Sequence, residues 1–135
     1  MINQERLELV RTENENHIGV DFDGVLHSYT TPFAGTDYIP DPPVEGSLDA
    51  VKRLCEQGYV IIIFSARAAE ESAIDAIWEW LEKYGFSDYI SEVTNIKPCC
   101  KVIVDDKCIT FKGNWGETLY DIDTFEPWYE NPALK

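Results

Sequence analysis

Asp21 and Asp23 flank a single residue, Asp105 and Asp106 are adjacent, and each pair directly follows an apolar run. Carboxylates in such places are hard oxygen donors. A magnesium ion prefers oxygen ligands, keeps several waters, and is typically held by one or two carboxylates together with a substrate phosphate. Asp21 with Asp106, and Asp105 beside it, can supply that set. Once the surrounding negative charge is neutralised, one carboxylate can attack phosphorus to give an aspartyl-phosphate. A second carboxylate two residues further on can protonate the leaving oxygen and later activate water. Asp23 stands in that position relative to Asp21. A lone Asp after a strand is ordinarily a turn former or a helix cap. Polar ends on three successive runs, the other being Ser65 after 59–64, are harder to account for as turns.

The elements that must position these residues are legible as alternating patterns. Residues 17–20, 59–64 and 101–104 are apolar without polar alternation, as in strands of a parallel sheet covered on both faces. Residues 47–57 read as a helix, with Ser47 as N-cap, Leu48, Val51, Leu54 and Cys55 on one face, and Gly58 as the stop. Residues 69–84 repeat the design, with Ile74, Ile77, Trp78 and Leu81 inward and Gly85 as the stop. Residues 90–93 read as a short extra strand, and residues 1–16 are ambiguous between a helix and an edge strand. Strand, helix, strand, helix, strand predicts an α/β fold with right-handed crossovers. In open parallel sheets ligands bind beyond the carboxyl ends of the strands, where the polar residues fall.

Composition sets limits on this reading. With 135 residues the chain is expected to form one domain, 1–135. Without a long apolar stretch or a signal-like N-terminus it is expected to be soluble and cytoplasmic, with no membrane partner. Cys55, Cys99, Cys100 and Cys108 match neither a disulfide framework nor the usual zinc spacing, so buried thiols are expected. The net charge of −14 speaks against nonspecific adhesion to nucleic acid, yet not against a phosphate substrate, because a bound magnesium ion reverses the local sign.

The residues also resemble a known family, the haloacid dehalogenase superfamily. Its first motif, Asp-x-Asp-Gly after an apolar strand, is similar to Asp21-Phe22-Asp23-Gly24, with Val25 where many members have Thr. The resemblance implies Asp21 as nucleophile, and Asp23 as general acid and base with its backbone carbonyl on the metal. Ser65 resembles the second motif, which hydrogen-bonds the phosphoryl group. Lys97 resembles the third, which neutralises phosphate charge and orients the nucleophile. Asp105-Asp106 resembles the acidic fourth motif, with Asp106 favoured as direct magnesium ligand. The family's fold is Rossmann-like, a three-layer α/β arrangement around a mainly parallel sheet. Neither interval between motifs is long enough for a cap domain, which implies a capless member covered only by the loop 30–46.

That loop contains Pro32, Gly35, Pro40, Pro42, Pro43 and Gly46, which favour turns or a short hairpin over a helix. Arg67 is a candidate substrate clamp because phosphate sites favour its fork; a solvated loop arginine is the plainer reading. His27 is more simply a loop histidine than a leaving-group contact. Tyr29, Phe33 and Tyr38 either line the substrate mouth or pin the loop, and Trp115, Trp128 and Tyr129 are expected to anchor the C-terminal stretch. The expected function is a magnesium-dependent phosphomonoesterase acting on a small phosphorylated substrate. The alternatives are a nucleotide or nucleic-acid-end phosphatase, a phosphotransferase using the same residues, and a catalytically silent binding or regulatory scaffold.

Overall fold

The computed structural model describes residues 15–130, so most of the expectation for residues 1–16 lies outside the described residues. The chain forms two compact units, one running to Val104 and the other beginning at Asp105. In the first unit, β1 (His17–Val20), β2 (Val60–Phe64), β3 (Ile90–Thr94) and β4 (Val102–Val104) form a four-stranded, all-parallel sheet in the order β3-β2-β1-β4. Helix α1 (Ser47–Glu56) links β1 to β2, and α2 (Glu71–Lys83) links β2 to β3. The fold is therefore α/β with a parallel sheet, as expected from the alternating runs. No helix among the described residues is long and apolar enough to cross a membrane.

Side-chain alternation explains which face carries the core. Ile18, Val20 and Phe22 from β1 and its extension join Ile61 and Ile63 from β2, with Val51 of α1 and Ile77, Trp80 and Leu81 of α2, in one buried cluster. Two successive right-handed crossovers in one direction put both helices over that face. Val102 and Val104 are in register with Ile18 and Val20 and so point to the same side. They are nevertheless 50% and 46% exposed, because β4 lies on the side of β1 away from β2 and β3, where the helices pack. The expectation of strands covered on both faces thus fails for β4.

Two glycines end the helices as expected. Gly85 has φ +84°; its N–H donates to Glu82 O at 3.2 Å while Phe86 N–H donates to Leu81 O at 2.8 Å. Gly58, with φ +92°, does the same after α1: its N–H reaches Cys55 O and Tyr59 N–H reaches Leu54 O, both at 3.0 Å. These paired bonds satisfy helix-end carbonyls that would otherwise be orphaned, and they require a left-handed residue. The start of α1 differs from expectation. Its N-cap is Gly46, while Ser47 is the first helical residue and its hydroxyl donates to Val44 O at 2.7 Å.

The start of α2 differs too. Ala66–Ala69 forms a separate 3-10 turn, so α2 begins at Glu71. Trp80 is buried, whereas Trp78 and Ile74 are only half-buried. The indole of Trp80 gains a partner for its N–H, which donates to Asp41 O at 2.8 Å, and its ring meets Phe22 edge-on at 5.0 Å and stacks on Phe86 at 5.5 Å. The cysteines correct another expectation: Cys99 and Cys108 are exposed thiols, and only Cys55 and Cys100 are half-buried.

In the second unit, α3 (Trp115–Thr124) is capped by Asn114, whose side-chain oxygen accepts the Glu117 N–H at 3.1 Å. Trp115 is 67% exposed, contrary to an anchoring role; it tilts against Phe111 at 5.1 Å. Trp128 and Tyr129 are half-buried and meet edge-on at 5.8 Å.

Candidate functional site

Phe22, two residues past the end of β1, is fully buried in the same cluster as Ile18 and Val20. The Phe22 carbonyl then accepts the N–H groups of Leu26 and His27, both at 2.9 Å, closing a tight turn in which Gly24 takes φ +78°. The Asp21 N–H donates to Val104 O at 2.9 Å, so β1 and β4 are still paired where β1 delivers its first carboxylate. Asp21 Oδ1 accepts the Phe22 N–H at 2.8 Å, which fixes the carboxylate's orientation.

The place of this turn follows from topology. From β1 the chain steps to β2 and β3 on one side, then returns to place β4 on the other, so the order reverses between β1 and β4. That return segment packs against Gly19: a Cβ there would lie 3.1 Å from Ile103 Cγ1 and 3.2 Å from Pro98 Cγ. Asp105 and Asp106 follow Val104 directly in the chain and open the second unit, where Asp105 Oδ1 accepts the Lys107 N–H at 3.0 Å. Lys97 lies exposed in the segment between β3 and β4.

Asp23 is engaged on both oxygens. Oδ1 lies 2.8 Å from His27 Nδ1, and Oδ2 accepts the Arg67 Nε–H at 2.7 Å. Burial pushes this carboxyl up, but the hydrogen bonds of His27 and Arg67 and the guanidinium charge more than reverse it, so it is held below the ordinary carboxylate value. Ser65 directly follows β2, is buried, and its Oγ accepts the Arg67 N–H at 3.2 Å.

Neither His27 nor Arg67 is a solvated loop residue. His27 is fully buried, stacked on Phe22 at 5.5 Å. Its Nε2 accepts the Asp41 N–H at 3.1 Å, while Asp41 Oδ2, at 3.6 Å, is too far for a hydrogen bond. Since an N–H can only donate, Nε2 presents a lone pair, and Nδ1 carries the hydrogen that goes to Asp23. Arg67 is 4% exposed, and its Nη1 lies 2.9, 2.8 and 3.1 Å from the carbonyl oxygens of Gly35, Thr36 and Tyr38.

The loop 30–46 is consequently built rather than loose, and its hairpin character is limited to a single bridge between His27 and Pro43. Asp41 closes its neck, taking the Thr31 N–H at 2.8 Å and the Thr31 hydroxyl at 2.6 Å. Burial raises the Asp41 carboxyl, and the two Thr31 bonds bring it below its usual value. Phe33 and Tyr38 are exposed, and Phe33 lies over Arg67 Cζ at 5.1 Å. Asp41 escaped the sequence reading. Its only signal is an Asp between prolines ten residues after a Thr.

No family model matches the chain, and no curated protein matches it. Among solved structures it is similar to a conserved protein coded by a locus of Bacteroides thetaiotaomicron, with a TM-score of 0.54 and 21% identity over 82% of this chain and 91% of that one. At that identity the likeness shows the fold alone.

Proposed function

We propose that the protein is a magnesium-dependent phosphohydrolase of the haloacid dehalogenase type, in capless form, with Asp21 as its nucleophile. The observation that carries this reading is the position of Asp21: it leaves β1 beside the end of β4, where the strand order of the described residues reverses and open parallel sheets bind their ligands. The intervals between motifs agree with a capless form. From Gly24 to Ser65 there are one loop, one helix and one strand, and from Ser65 to Lys97 a 3-10 turn, a helix, a further 3-10 turn and a short strand.

The donor set proposed for the metal, the carboxylates of Asp21, Asp105 and Asp106 with the backbone carbonyl of Asp23, consists of oxygens only, which fits magnesium and not a thiolate- or imidazole-seeking ion. When bound, magnesium would neutralise the carboxylates and the incoming phosphate charge. The chain's own groups account for the remaining steps. An Asp21 oxygen attacks phosphorus as the bond to the leaving oxygen breaks, and that oxygen takes a proton from Asp23. Asp23 then removes a proton from water, the water oxygen attacks phosphorus, and the Asp21–phosphorus bond breaks to release inorganic phosphate. Ser65 and Lys97 would hold the phosphoryl oxygens. Arg67, expected as a substrate clamp, has its Nε on Asp23 and its Nη1 on the loop carbonyls.

The test is phosphate release from an aryl phosphate with magnesium, with excess chelator, and in Asp21→Asn. Release is expected only in the first, with magnesium affinity by calorimetry as a second readout. Undiminished release in chelator, or in Asp21→Asn, would overturn the mechanism. A silent binding scaffold is the second reading, favoured by the engagement of both Asp23 oxygens. It predicts magnesium binding without phosphate release.

A further inference from the structure

Arg67 joins two parts of the chain that are far apart in sequence. Its Nε holds Asp23, and its Nη1 holds the backbone of the loop at Gly35, Thr36 and Tyr38. Both nitrogens belong to one rigid planar group, so the loop backbone at 35–38 is kept a guanidinium's width from the Asp23 carboxylate. Thr36 adds a second fastening, its hydroxyl donating to Glu70 Oε2 at 2.8 Å just beyond the 3-10 turn that carries Arg67. Sequence reading offers a substrate clamp or a solvated arginine here; the geometry is that of a tie.

We propose that Arg67 is a positioning residue that fastens the loop to Asp23 and thereby restricts the site to phosphomonoesters with a small leaving group. The restriction deepens the phosphohydrolase reading and rests on it. For Asp23 to protonate a leaving oxygen, that oxygen must come beside its carboxylate, and the space there is bounded by loop carbonyls on the same guanidinium. A bulky ester group fits only if the loop lifts. Lifting breaks the bonds of a buried cation to main-chain oxygens, which are charge-assisted and therefore strong.

Arg67→Lys separates charge from span: a single ammonium nitrogen cannot occupy the Nε and Nη1 positions at once, so it loses the rigid spacing between Asp23 and the loop carbonyls. Arg67→Ala removes both, and because it leaves Asp23 without its cation, the Lys variant carries the test if the Ala variant does not fold. Hydrogen exchange at residues 33–39 is expected to quicken by about tenfold or more in Arg67→Lys, with β1 and β2 unchanged. The ratio of kcat/KM for a nucleoside 5′-monophosphate to that for ethyl phosphate is expected to rise by about tenfold, chiefly through KM for the bulky ester. Unchanged exchange at 33–39 overturns the tie, and an unchanged ratio overturns the restriction on leaving-group size. If the parent hydrolyses neither ester in magnesium, the phosphohydrolase reading falls and takes the restriction with it, while the exchange result still decides the tie.

Discussion

Replacing His27 tests whether the polar cluster under the loop holds the first unit together. His27→Ala removes a donor to the Asp23 carboxylate, a bond to a charged group worth about 1.5–3 kcal/mol. It also leaves the Asp41 N–H buried without its acceptor, at about 1–3 kcal/mol. The ring's place between Phe22 and Trp80 becomes a cavity, adding about 2–5 kcal/mol for a large buried side chain cut to Ala. The sum reaches the whole stability of an ordinary domain, about 5–15 kcal/mol, so His27→Ala is expected to be largely unfolded or barely stable. His27→Asn places an amide donor near Nδ1 and loses only the acceptor, while His27→Gln places an amide oxygen near Nε2 and loses only the donor. Each is expected to fold with a loss of about 2–4 kcal/mol, which at a urea slope of about 1–3 kcal/mol/M moves the midpoint by about 1–3 M. Equilibrium urea unfolding followed by tryptophan fluorescence and far-UV circular dichroism gives the values. A His27→Ala protein within about 1 kcal/mol of the parent would refute the cluster as a structural keystone.

Two further expectations concern stability. Gly19→Val drives a branched side chain against Ile103 and Pro98 and is expected to cost about 1–3 kcal/mol; a midpoint equal to the parent's would show that the return segment yields freely. The folded pKa of Asp41 is depressed, so its contribution to stability is fully present above the unfolded carboxylate value of about 3.9 and is lost as pH falls through the lower folded value. The urea midpoint is therefore expected to decline as pH is taken below about 4, and Asp41→Asn to show a shallower decline there; parallel pH profiles would remove Asp41 from the account.

What was legible in the sequence was whatever a local pattern can encode. β1 and β2 were readable because their residues are apolar on both faces, and the helix stops because only glycine takes the left-handed turn cheaply. Trp78 was placed inward and Trp80 was missed because the inward set was phased from Ile74, whereas the buried set is phased from Ala73, near the start of a helix that begins only after the 3-10 turn at Ala66–Ala69. Val104 was read as covered because its own run gives no sign that β4 lies on the side of β1 away from α1 and α2. Asp21 and Asp23 stood out by spacing. The commitment of Arg67 did not, because its loop partners are carbonyl oxygens, which every residue type carries, and they lie 29 to 32 positions away. Asp41 and His27 were hidden for the same reason, their link running through a backbone N–H.

The fastening of the loop by main-chain oxygens alone makes it indifferent to the side chains it carries. Ala34, Asp37 and Tyr38 face solvent, and their identity enters none of the bonds from Arg67. Mutational drift at these positions can therefore proceed without loosening the frame, so that lineages sharing the scaffold are able to diverge in what they recognise while keeping their architecture. A combinatorial library confined to positions 34, 37 and 38, with Gly35 and the flanking prolines retained, samples new recognition surfaces on a backbone whose path is set from below.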